Sequence, residues 1–123
     1  MILHLITVET WAALADAQKY TPESLAAQGF IHCSGDDDVM LDVANSHYAD
    51  AGEVLVLTID EHDLDAEVRW EAPNPLPPGW DPNGPEGAPT FPHIYGPLNL
   101  DAVVGIRRLL RDNGGRFAGY ASA

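Results

Sequence analysis

The sequence predicts a small α+β protein folded as a single domain, and three observations lead there. The 123-residue chain is 46% hydrophobic and 20% charged, the composition of a globular domain and not of a disordered one. Short apolar runs that read as strands alternate with segments of helical periodicity. No repeat or second hydrophobic block divides residues 1–123, so one core is expected, and a chain of this size buries roughly two thirds of its unfolded surface without needing a disulfide.

Residues 2–7 form an apolar run broken only by His4 and read as a first strand. Thr7 then caps a helix over residues 8–18, where Trp11, Leu14 and Ala15 recur at helical spacing. Thr21-Pro22-Glu23 opens a shorter helix, with Thr as cap, Pro at the first helical position and Gly29 just past the end. Residues 30–33 are a second strand. Ser34 is expected to cap a third helix running to about residue 50, with Asp36, Asp37 and Asp38 in its first turn complementing the helix dipole and Gly52 closing it. Residues 54–59 read as a buried central strand, and residues 68–71 alternate as a half-exposed one. Eight prolines and three glycines between 72 and 92 exclude a helix or inner strand there and leave a long loop. Residues 91–98 and 102–110 complete the set as strands, the latter because Val103, Val104 and Ile106 are β-branched and Gly105 would weaken a helix.

Nineteen acids against six bases leave a net charge of −13, which argues against bulk recognition of a nucleic-acid backbone. The charge is uneven. Residues 1–100 hold 17 acids against Lys19 and Arg69, whereas Arg107, Arg108, Arg111 and Arg116 meet only Asp101 and Asp112. Strand alternation would put Arg107 and Arg111 together and Arg108 opposite, a partial cationic patch. One cysteine and five scattered histidines build no zinc module, so no metal site is expected. No apolar stretch reaches the length of a membrane span and no basic leader opens the chain, which points to a cytoplasmic protein.

Two segments carry candidate chemistry. In Gly29-Phe30-Ile31-His32-Cys33-Ser34, period-two alternation sets Phe30, His32 and Ser34 on one face. An imidazole beside a hydroxyl at a helix start suits an anion or a phosphate; the alternative is that Ser34 only caps and His32 only bonds within its strand. In Phe91-Pro92-His93-Ile94-Tyr95-Gly96-Pro97, His93 and Tyr95 share a face, an imidazole and a phenol able to act on a substrate oxygen, or merely to pack at a proline-bounded strand. Trp70-Glu71 offers a ligand platform with a carboxylate, or packing beside a solvated charge. Cys33 lies opposite His32 and reads as a core residue. His4 on the first strand reads as a core-edge histidine on periodicity alone.

The order of these segments, from the opening strand through GFIHCS, VRWE and FPHIYGP, resembles the family known as domain of unknown function 952 over nearly the whole chain. The resemblance implies an ADP-ribosyltransferase-like fold, in which a bent, split antiparallel sheet cradles a nicotinamide dinucleotide. It places His32, Ser34, His93, Tyr95 and Gly96 at signature positions, Trp70-Glu71 at a third, and His4 where transferases contact ribose. Asp38 departs from the Gln usual there, and the loop at 72–92 is longer. The expected site thus has His32, His93 and Glu71 as catalytic candidates, and His4, Ser34, Trp70, Tyr95 and Gly96 as ligand-binding ones. Its ligand would be a nucleotide or other phosphate-bearing small molecule, with NAD as cofactor by fold analogy and transfer of an ADP-ribosyl group as the reaction if the protein is an enzyme. A non-catalytic binding or interaction module that kept the fold is the alternative.

Overall fold

The computed structural model describes residues 1–71 and 90–121; the expectation of a loop over 72–92 falls almost entirely outside them. Nine strands, β1 (Ile2–Thr7), β2 (Lys19–Tyr20), β3 (Ile31–His32), β4 (Val54–Ile59), β5 (Val68–Glu71), β6 (Phe91–Ile94), β7 (Leu98–Asn99), β8 (Val103–Arg111) and β9 (Phe117–Tyr120), and three helices, α1 (Val8–Ala12), α2 (Glu23–Gln28) and α3 (Asp37–His47), are described. Every strand pairing is antiparallel. The strands form a four-stranded sheet in the order β1-β4-β8-β9, a three-stranded sheet β3-β6-β5 and a two-stranded ribbon β2-β7. A single bridge, Leu3 to Ser34, joins the two larger sheets, with reciprocal main-chain bonds of 2.8 and 2.7 Å. The expected small α+β class, with antiparallel sheets and a few short helices, is present.

Each face of the four-stranded sheet packs a separate core. Ile2, Ile6, Leu57 and Ile59 meet Ile31, Cys33 and Ile94 of the three-stranded sheet. Leu3, Leu5, Val54 and Val56 meet Met40 and Ala44 of α3 with Leu109 and Phe117. Met40 is fully buried, a burial worth about 1.5–3 kcal/mol.

Several element boundaries differ from expectation. Thr7 does cap α1, accepting from the Thr10 N–H at 3.2 Å. The α-helix nevertheless stops at Ala12 and continues as tighter turns, with Leu14, Ala15 and Ala17 each bonding three residues back. Ser34 is not the cap of α3. Its main chain is committed to Leu3, so the helix starts later, with Asp36 Oδ1 accepting from the Val39 N–H at 2.9 Å. The strand expected over 91–98 breaks at Tyr95-Gly96-Pro97, because Pro97 has no N–H to give a ladder and the chain at Gly96 turns against Ala66. Gly29, with φ of +88°, closes α2 as expected, but Pro22 and not Thr21 is the N-cap, with no side-chain bond to the helix start. α3 ends at His47 with Tyr48 as its C-cap, short of residue 50 and of Gly52. The ribbon β2-β7 and strand β9 carry too few residues to show a period in the sequence.

Among the described residues no helix is long and apolar enough to cross a membrane.

Candidate functional site

The three-stranded sheet sets the site. Register pairs His32 with His93, His93 with Arg69, and Glu71 with Phe91. Because alternate side chains share a face, His32, His93, Arg69 and Glu71 all project from one side, with Phe30 and Tyr95 at its edge. The opposite side, Ile31, Ile94 and Val68, packs into the core. The two signature segments expected to converge are thus neighbouring strands.

His93 is the centre of the cluster, with a side chain only 5% exposed. Its ring stacks on Phe30, 4.1 Å between centroids and 20° between planes. Its Nδ1 lies 3.0 Å from Glu71 Oε1. The partners assign the tautomer: Nδ1–H donates to the carboxylate, leaving the Nε2 lone pair as the basic position. The Tyr95 hydroxyl donates to the same Glu71 oxygen. These two donors, Tyr95 first and His93 second, hold the Glu71 carboxyl below its usual range, and Glu71 in turn pushes the Tyr95 phenol up.

His32 stands edge-on to His93 with centroids 5.4 Å apart, and edge-on to Phe30 at 4.9 Å. Its Nε2 bonds Gln28 Oε1 of α2, one helix end away. Loss of water around the ring, and then repulsion from His93 and His47, lower its pKa from the ordinary 6.5. Near neutral pH it is an uncharged imidazole with Nδ1 as acceptor.

Behind this face, His4 is buried between the sheets and donates from Nδ1 to the His32 carbonyl at 2.7 Å. Burial lowers its pKa, only partly offset by that bond. The Tyr20 ring lies 5.9 Å away.

The remaining candidates are placed differently. Ser34 is buried at the Leu3 bridge and no longer sits at a helix N-terminus, which removes the physical basis for the phosphate cradle expected there. Trp70 belongs to the opposite side of β5 from Glu71; the residue is 47% exposed and its ring lies over Gly35, where an added Cβ would sit 2.8 Å away. Gly96 has a packing reason of its own, since a Cβ there would stand 2.8 Å from that of Ala66. Burial pushes the Cys33 thiol far up, consistent with a core residue.

The C-terminal arginines do not gather at this face. The bulge between Leu110 and Arg111 puts its extra residue in β9, so Arg107 and Arg111 keep the shared side of β8 that alternation predicts, but each is engaged away from this face. Arg111 turns to the end of α3, donating to the carbonyls of Ala49, Ala51 and Gly115 at 2.9, 2.5 and 2.8 Å. Arg107 stacks on Tyr120 at 3.5 Å, and Arg108 approaches Glu53 at 3.8 Å.

Sequence reasoning missed Arg69 and Gln28 as neighbours of the site. Arg69 lies with its guanidinium carbon 4.4 Å from the Tyr95 ring centroid. Its two-residue offset from Glu71 on an alternating strand was the available signal. Among the described residues, no group of three or more His, Cys, Asp or Glu side chains is arranged to hold a metal ion.

Fold and site together define a small α+β protein whose split antiparallel sheets carry a histidine-rich polar face. A family model described as a protein of unknown function (DUF952) matches residues 5–106, and the chain belongs to that family. Among solved structures, the crystal structure of protein CC0527 from Caulobacter crescentus is similar with a TM-score of 0.64 at 22% identity, over 95% of this chain and 92% of that one. The solution structure of the same protein gives a TM-score of 0.70 at 22% identity, over 94% and 89%. This likeness is one of fold. No curated protein matches the chain.

Proposed function

We propose that the face formed by His32, His93, Tyr95 and Glu71 binds a phosphate-bearing small molecule of the nucleotide class and supports acid–base chemistry on it. The observation that carries this reading is the Glu71–His93 contact. A carboxylate fixing Nδ1–H of an imidazole leaves Nε2 basic and oriented, and a second, neutral imidazole stands beside it to accept or relay a proton. Tyr95 supplies an aromatic edge and Phe30 fixes the His93 ring.

NAD and ADP-ribose are members of that ligand class. In the ADP-ribosyl form of the proposal Glu71 would face a developing ribosyl cation and His4 would reach ribose. The two donors already bound to Glu71, and the engagement of His4 Nδ1 with a main-chain carbonyl, favour instead a positioning role for Glu71, with proton transfer at His93. A binding module without turnover is the second reading, favoured by the same engagement of Glu71 Oε1, which ties β5 to β6 without any ligand.

Calorimetry and thermal-shift measurements with NAD, ADP-ribose and AMP test the proposal. A response in the native protein that is lost in His93→Ala and reduced in His32→Ala is the expected result. No response to any of these ligands, or one unchanged in both variants, rejects it. Binding without conversion of any ligand, followed by chromatography, selects the module.

A further inference from the structure

His32, His93 and Arg69 form one row across β3, β6 and β5. With strands about 4.8 Å apart, the row is about two strand spacings wide. Arg69 is its only permanently charged member. The guanidinium rests against the Tyr95 ring, 4.4 Å from its centroid, and one nitrogen donates to Glu67 Oε2 at 3.1 Å. That ion pair is solvated, the Arg69 and Glu67 side chains being 52% and 63% exposed. Exposed pairs of this kind are weakly held. A guanidinium fork accepts carboxylate and phosphate oxygens with the same planar geometry, so the carboxylate of Glu67 occupies the position an incoming phosphate would take.

We propose that Arg69 anchors the anionic group of the ligand, a phosphate monoester or diphosphate, and that Glu67 holds that position in the free protein as an internal competitor released on binding. The inference rests on the phosphate-bearing ligand of the preceding subsection. It adds a geometric demand, an anionic end about one strand spacing from the atom on which His93 acts. It also answers an electrostatic difficulty. Residues 1–100 carry a charge of −15, and an anion docking among them needs one fixed cation, which Arg69 provides on the site's own strand.

The test uses the full chain, with AMP, pyrophosphate and adenosine as calorimetric probes in low and high salt. Arg69→Gln is expected to weaken AMP and pyrophosphate at least tenfold, with Arg69→Lys in between, because the charge stays while the fork is lost. Glu67→Gln is expected to tighten both probes severalfold. Glu53→Gln, which removes the same charge at a distance beside Arg108, should change neither. Adenosine should be indifferent to all four substitutions. Circular dichroism of each variant shows whether the fold is retained; all three positions are exposed. Phosphate binding that is equal in the native protein, Arg69→Gln and Glu67→Gln overturns this inference and leaves the site proposal standing. Equal tightening by Glu67→Gln and Glu53→Gln overturns the competitor role, since general repulsion would then explain both. Failure of the native protein to bind any probe overturns the site proposal and this inference together.

Discussion

The Nδ1–H of His4 donates to the main-chain carbonyl of His32 at 2.7 Å, so that an imidazole on β1 fixes the backbone of the strand that presents another imidazole to the site. Burial keeps His4 neutral by lowering its pKa below 6.5. A base whose folded pKa is depressed contributes stability that is complete above the unfolded value and lost as pH falls through the folded one. The melting temperature should therefore drop between pH 7 and pH 5 more steeply in the native protein than in His4→Gln. Parallel melting curves for the two would show that His4 does not titrate with unfolding. His4→Ala should be destabilised at every pH, by about 2–4 kcal/mol for lost packing and an unsatisfied carbonyl.

Glu71 titrates in the opposite chemical class but with a related outcome. Tyr95 and His93 lower its folded pKa from the ordinary 4.5, so its contribution is present above that value and disappears as pH falls through the lowered one. Urea denaturation between pH 6 and pH 3 should show Glu71→Gln less acid-sensitive than the native protein. Near neutral pH the same variant should lose ligand response, because an amide no longer fixes the His93 tautomer by a charge-assisted bond.

Arg111 is a structural cation. Its guanidinium gathers carbonyls at the end of α3 and lies 4.0 Å from the Phe117 ring. Arg111→Met should destabilise the fold by about 2–4 kcal/mol, the range for lost charged hydrogen bonds and helix-end interaction. Arg108→Met, which loosens only an exposed contact with Glu53, should stay within about 0.5–1 kcal/mol. Chemical denaturation of the pair checks the contrast; equal losses would contradict it.

Gly96→Ala places a methyl group 2.8 Å from the Ala66 Cβ. Overpacking at such a contact costs about 1–3 kcal/mol, and Ala66→Gly in the same chain should recover most of it. Additive effects in that double-mutant cycle would mean that the two positions do not press on each other.

Strong local patterns carried through from sequence to structure. The apolar run at Val54–Ile59 became the central strand β4, the β-branched run beginning at Val103 became β8, and Gly29 closed α2. Each of these depends on residues near in sequence. The errors share another cause. Ser34 and Asp36 both have capping side chains, and nothing local decides between them; the bond of the Ser34 N–H to Leu3, thirty-one positions back, does. Arg111 is likewise claimed by the carbonyls of Ala49 and Ala51, sixty or more positions back, which nothing near it in sequence announces.

The sequence by itself determined the α+β class, the positions of the main strands, and that His93 and Tyr95 share one side of their segment, because period and composition are local properties of the chain. Only the tertiary structure decided which side chains meet. Antiparallel pairing of β3 with β6 and β6 with β5 set His32, His93 and Arg69 side by side, turned Trp70 to the other side from Glu71, and withdrew Ser34 into the bridge with Leu3. Register between distant strands is set by how the two cores close against each other, and a one-residue slip would reverse every side chain on the face; that information is spread over the whole chain and is not present in any one segment.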